Sequence, residues 1–175
     1  VLHLQGTLKP GHVILPEFSV TATENAILAA ALTPGETRID MAAAEPHVQA
    51  VEKFVCAMGA EVEGIGTHTV IVRGRTKLAC AEYRVPSDYL EAGGLAIAAL
   101  VTRGKVRLHD VEYDHLMNFL DVLKRMGAEW KYDAGEKVLF VDGEISSLNA
   151  VEARTNIFPG LPTDLQAPLG VAMTQ

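Results

Sequence analysis

Cysteine is scarce in this chain: Cys56 and Cys80 are its two, with no CxxC spacing. That favours a reducing cytosol with buried thiols over a disulfide or a cysteine-held metal pair. Long hydrophobic runs are missing too. Runs such as Ala26 to Leu32, which none exceeds, are far too short to cross a bilayer, so no membrane partner is expected. Aromatic residues make up 6% of the chain, and Tyr113 and Tyr132 form no stacking platform for nucleic acid. Positive charge is in deficit, with a net charge of −7 and no basic stripe to meet a phosphate backbone. A local anion site stays open, because helix N-termini need no net positive charge.

Motif absences narrow the chemistry further. Gly64-Ile65-Gly66 lacks the third glycine of a dinucleotide fingerprint, and there is no Walker loop. The six histidines share no metal-ligand spacing. His115 is expected to face solvent, and Cys56 and Trp130 to pack.

What is present is repetition. Leu15 to Leu32 reads as a strand end, a polar turn and an apolar helix without a charged stripe. The same grammar returns at Val85 to Leu100 and at Leu161 to Met173, where Pro86-Ser87-Asp88 and Pro162-Thr163-Asp164 nearly coincide. In the first repeat, a helix over 23–32 stops at Pro34-Gly35, and a strand over 37–41 follows. Pro46 then opens an amphipathic helix carrying Val48, Val51, Phe54, Val55 and Met58, which ends at Gly59 as a left-handed cap. Strands 61–63 and 69–72 close the repeat as a hairpin, and a further strand is expected at Val1-Leu2-His3-Leu4.

The second repeat places its helix at 89–101, its strand at 105–108 and an amphipathic face at Leu116, Phe119, Leu123 and Met126. Hairpin strands at 129–132 and 137–141 follow. Met126-Gly127-Ala128-Glu129 copies Met58-Gly59-Ala60-Glu61. A third repeat begins near Val151 and stops inside its apolar helix, so the expectation is a chain that continues. Helices apolar on all sides need wrapping by other elements. The economical packing sets them parallel at the centre with sheets outside, their electropositive N-termini gathered at one ligand-binding end.

At that end stand Ser19-Val20-Thr21, Ser87-Asp88 and Thr163-Asp164. Each has two readings. Serine, threonine and aspartate are the favoured helix caps. Equally, Asp164 is suited to accept a hydrogen bond from a substrate hydroxyl, or take its proton, if Thr163 supplies the cap.

The run Phe158-Pro159-Gly160-Leu161-Pro162-Thr163-Asp164-Leu165-Gln166-Ala167 resembles the P-T-D-[ML]-Q-A signature of the UDP-N-acetylglucosamine 1-carboxyvinyltransferase family. Ser19 to Asn25, Ala42 to Pro46, Ala57 to Glu61, Pro86-Ser87-Asp88 and Glu91-Ala92-Gly93 are similar to further family motifs, in the family's order. The resemblance implies an EPSP synthase-like α/β (α+β) fold, an inside-out barrel of βαβαββ-type pseudo-repeats with buried parallel helices. Residues 1–85 would close one lobe and 86–175 open the second; the alternative is one domain of repeats 9–74, 75–143 and 144–175.

It further implies transfer of the enolpyruvyl group of phosphoenolpyruvate to the 3-hydroxyl of UDP-N-acetylglucosamine, in peptidoglycan precursor synthesis in the cytoplasm. No metal or organic cofactor is implied. Carried over by motif, Asp164 would bind the sugar hydroxyl and serve as base, and Phe18, Ser19 and Val20 would contact the uridine diphosphate. Thr21, Asp88, Glu91 and Thr163 would line the cleft. The family's Lys-Asn pair, reactive-cysteine loop and phosphoenolpyruvate-binding arginines fall outside the match, so this segment would need the rest of an enzyme chain to act. The chain departs from the family at Glu17, usually basic, at Thr21, usually glycine, and at Ala44 and Tyr89, usually arginine. Since Glu17 would repel a diphosphate, two alternatives stay open: another nucleotide or sugar acceptor, and a non-catalytic binding module with the same fold.

Overall fold

A computed structural model describes residue 3 and residues 5–175. The strand expected at Val1-Leu2-His3-Leu4 falls on residues outside that set, apart from His3, which has no regular structure. The chain divides into two compact units, Val1–Val85 and Pro86–Gln175.

In the first unit, strand β1 (His12–Ile14) leads into helix α1 (Val20–Ala31), strand β2 (Gly35–Asp40), helix α2 (Pro46–Ala57) and strands β3 (Glu61–Glu63) and β4 (Thr69–Gly74). The sheet order is β1-β2-β4-β3. β1 runs parallel to β2, with α1 as the crossover, and the other pairs are antiparallel. Ile39 of β2 and Val70 and Val72 of β4 point to one face and meet Ile27, Val48 and Val55 of the helices, all fully buried. That alternation is what a half-buried strand requires. Gly59 takes φ +108 after α2, the left-handed cap its sequence position called for.

The second unit repeats the plan. Helix α3 (Tyr89–Val101), strand β5 (Lys105–Leu108), helix α4 (Tyr113–Arg125) and strands β6 (Glu129–Asp133) and β7 (Val138–Asp142) give a sheet of order β5-β7-β6. Leu116, Phe119, Leu123 and Met126, the expected face of α4, are all buried. Trp130 is half-buried and packs on this core. After β7 the chain is irregular to a single 3-10 turn over Thr163–Leu165, which continues into helix α5 (Gln166–Ala172).

Several expectations need correcting. α1 begins at Val20 rather than at residue 23, because Ser19 is its N-cap. Cys56 is half-buried but Cys80 is exposed, so the thiols are not both packed; they are not joined. Nor is either apolar helix covered all round within its unit. α1 leaves Thr21, Asn25, Leu28 and, at its C-cap, Leu32 exposed, and α3 leaves Glu91, Leu95, Ala98 and Thr102 exposed. Both sets follow the spacing i, i+4, i+7, i+11, one stripe of a helix. Leu28, Leu32 and Leu95 remain 48%, 57% and 52% exposed, too much for side chains whose unit has finished burying them.

Candidate functional site

The candidate residues fall on two patches, one in each unit. In the first, Ser19 stands in extended backbone at the head of α1, and its hydroxyl oxygen accepts from Ala22 N at 3.3 Å. The capping reading of Ser19 therefore holds. Thr23, one turn inside, is wholly buried. Its hydroxyl donates to the Ser19 carbonyl at 2.7 Å and accepts from Ala43 N at 2.9 Å. One side chain thus ties the start of α1 to the loop before α2. Thr21 is exposed and its carbonyl accepts from the Asn25 side chain, and Val20 is half-buried.

Phe18 is not bare. Its ring lies 4.5 Å, centroid to centroid, from the His68 imidazole, tilted by 57°. His68 in turn places Nδ1 2.9 Å from the Ala42 carbonyl. Behind this patch, α2 turns Glu52 inward. Its Oε2 accepts from Gly66 N in the β3–β4 turn at 3.3 Å, and Oε1 has no partner among the described residues. Burial pushes this carboxyl up to about 7, against smaller opposing effects of the Gly66 N–H and the Lys53 charge.

In the second unit, Asp88 caps α3, accepting from Leu90 N at 2.8 Å and Glu91 N at 3.3 Å. Ser87 does not cap; its hydroxyl donates to the Asp110 carbonyl. Glu91 is exposed in the first turn of α3. The third copy of the motif behaves differently. Neither Thr163 nor Asp164 caps anything: the residue at the head of the 3-10 turn is Pro162, with no side-chain cap bond, and both side chains are exposed. What fixes them is their neighbour Leu165, 2% exposed, which packs against Gly93 of α3. A Cβ at Gly93 would stand 2.6 Å from Leu165 Cδ1, so glycine is what lets this turn lie on the helix.

His115, expected in solvent, is half-buried between Tyr89 at 6.2 Å and Phe158 at 6.5 Å, both edge-on. These rings join the heads of α3 and α4 to the segment before the 3-10 turn. Nothing in the sequence marked His115, His68 or Thr23. Their roles follow from which loop meets which helix. Among the described residues no three His, Cys, Asp or Glu side chains converge as a metal-binding group, and no helix is long and apolar enough to cross a membrane.

The helix starts offer exposed carboxylates and hydroxyls; at the head of α1 the backbone is held by the Thr23 bonds, and at Thr163-Asp164 by Leu165 packed on Gly93. The arrangement suits orientation of a polyhydroxyl ligand and, at Asp164, acceptance of a proton.

A family model described as EPSP synthase (3-phosphoshikimate 1-carboxyvinyltransferase) matches residues 3–174. A UDP-N-acetylglucosamine 1-carboxyvinyltransferase of Paramagnetospirillum magneticum is 40% identical over 99% of this chain and 40% of its own length. Another of that name, from Rhodospirillum centenum, is 39% identical over 96% of this chain and 38% of its own. The chain thus spans about 40% of the length of the curated relatives it matches. Among solved structures, the enolpyruvyl transferase NikO of Streptomyces tendae matches with a TM-score of 0.80 at 21% identity, over 95% of this chain and 42% of that one. EPSP synthase of Acinetobacter baumannii gives 0.61 at 24%, over 95% and 37%. At such identities the structural likeness bears on fold alone.

Proposed function

The chain belongs to the EPSP synthase family, and from that premise we propose that it is part of an enzyme moving the enolpyruvyl group of phosphoenolpyruvate onto the 3-hydroxyl of UDP-N-acetylglucosamine. The observation that carries the choice of acceptor is the 40% identity, over nearly the whole chain, to a protein named for that reaction. In the net reaction, the sugar O3–H bond and the C2–O bond of phosphoenolpyruvate break, O3 bonds to C2, and inorganic phosphate leaves carrying the proton that the hydroxyl gave up.

Asp164 is the residue we assign to bind the 3-hydroxyl and take its proton. Its exposure and its lack of a capping bond leave the carboxylate available for this. Phe18, Ser19 and Val20 are assigned to the uridine diphosphate, with Thr21, Asp88, Glu91 and Thr163 lining the cleft. Backbone N–H groups at the head of α1 supply partial positive charge to a phosphate. The product feeds peptidoglycan precursor synthesis, in the cytoplasm.

We extend the reading to architecture. Residues 1–85 close one lobe and 86–175 open the next, each lobe an inside-out barrel with its helices at the centre. The open stripes of α1 and α3 support this, since each is the face that a helix from another repeat of its own lobe would cover.

Titrating full-length protein calorimetrically with UDP-N-acetylglucosamine, then following phosphate release from phosphoenolpyruvate, tests the reading. Saturable heat and acceptor-dependent phosphate release are expected. Neither, or release only with a different nucleotide sugar, overturns the acceptor assignment.

A further inference from the structure

We propose that His68 is a positioning residue for the nucleotide end of this site, holding Phe18 and the loop at Ala42 and Ala43 so that Ser19 and Val20 meet the sugar nucleotide in fixed register. The inference rests on the reading above that Phe18, Ser19 and Val20 contact the uridine diphosphate part.

His68 and Ala42 exchange two hydrogen bonds. The Ala42 N–H donates to the His68 carbonyl at 3.1 Å, and the His68 Nδ1 lies 2.9 Å from the Ala42 carbonyl. A carbonyl can only accept, so Nδ1 carries the proton and the ring's orientation is fixed. The next residue, Ala43, donates to Thr23 Oγ1, and Thr23 donates to the Ser19 carbonyl. His68 therefore anchors one end of a relay whose other end is the cap of α1. Its ring closes the circuit by packing against Phe18, the residue before that cap. The imidazole thus restrains the Phe18-Ser19 segment twice, once through the backbone relay and once through ring contact. Nε2 has no hydrogen-bond partner among the described residues, and His68 is half-buried rather than part of the core around Ile27 and Ile39. Its loss should disturb what Phe18 and Ser19 present more than it disturbs folding.

Three substitutions in the full-length enzyme separate the two restraints. His68→Asn keeps a donor for Ala42 and loses the ring; His68→Phe keeps a ring and loses the donor; His68→Ala loses both. The KM for UDP-N-acetylglucosamine should rise about 2- to 10-fold in each single-loss variant and further in His68→Ala. The KM for phosphoenolpyruvate and the melting temperature of His68→Asn should stay close to wild type. Unchanged KM for the sugar nucleotide in all three variants overturns the inference. So does a parallel rise of both KM values with a lowered melting temperature, which marks a merely structural role. A wild-type enzyme that binds no UDP-N-acetylglucosamine overturns the underlying reading and this inference with it. Wild-type binding matched by every variant overturns the inference alone.

Discussion

Glu52 sends one carboxylate oxygen 3.3 Å from the backbone nitrogen of Gly66 and buries the other with no partner among the described residues. Burial holds this group protonated up to about 7, whereas in the unfolded chain it ionises near 4.5. Between those values the folded state keeps a proton that the unfolded state has released. The group's contribution to stability is therefore complete below the unfolded value and is lost as pH rises through the folded one.

Glu52→Gln should remove that dependence while still offering an oxygen to Gly66. Urea unfolding at about pH 4 and about pH 8 is the measurement. The variant should match wild type at the lower pH and exceed it by about 1–3 kcal/mol at the higher. Equal differences at both would mean that the Glu52 carboxyl titrates in the folded protein as it does in the unfolded chain.

Thr23 stabilises through two bonds made in a place without water. Thr23→Val keeps the shape, removes both bonds and leaves Ala43 N without its partner, which should cost about 1–3 kcal/mol. Thr23→Ser retains the hydroxyl and should lose less. Thermal melts of the two variants compare them directly.

Much of this fold was legible because two independent periodicities agreed. The alternation at Thr37 to Asp40 and the helical spacing of Leu116, Phe119 and Leu123 both recur a repeat apart, and both are half-buried patterns that burial enforces. The start of α1 lies earlier than expected because Ser19, Val20 and Thr21 read as a polar turn ahead of the helix. Ser19 overrides that local preference by capping the helix, with the Thr23 bond to its carbonyl in support. The site was legible only as residue types at helix starts. Asp88 and Asp164 look alike in sequence, yet one caps and the other does not. The difference lies in Leu165 settling on Gly93, a contact no local pattern contains.

That contact can be perturbed. Gly93→Ala should stabilise the helix itself by about 0.5–1 kcal/mol, but its Cβ would press on Leu165 and shift the turn carrying Thr163 and Asp164. Turnover should fall while the melting temperature barely moves. Adding Leu165→Val, which shortens the obstructing side chain, should restore part of the lost rate. Failure of the second change to help would mean that the first acts elsewhere.

Asp164 offers the sharpest separation of structure from chemistry. Aspartate at a helix start is often a cap, and removing a cap costs about 1 kcal/mol by itself. Here no such bond exists, the side chain is exposed, and the turn is held by Leu165. Both Asp164→Asn and Asp164→Ala should therefore leave stability within about 0.5 kcal/mol of wild type, as exposed positions do. If the carboxylate is the base, turnover in the full-length enzyme should drop about 10²- to 10⁴-fold in both variants. Asparagine, which still hydrogen-bonds a hydroxyl, should preserve affinity for the sugar nucleotide better than alanine does. Turnover surviving within about threefold in either variant would remove Asp164 from the proton transfer.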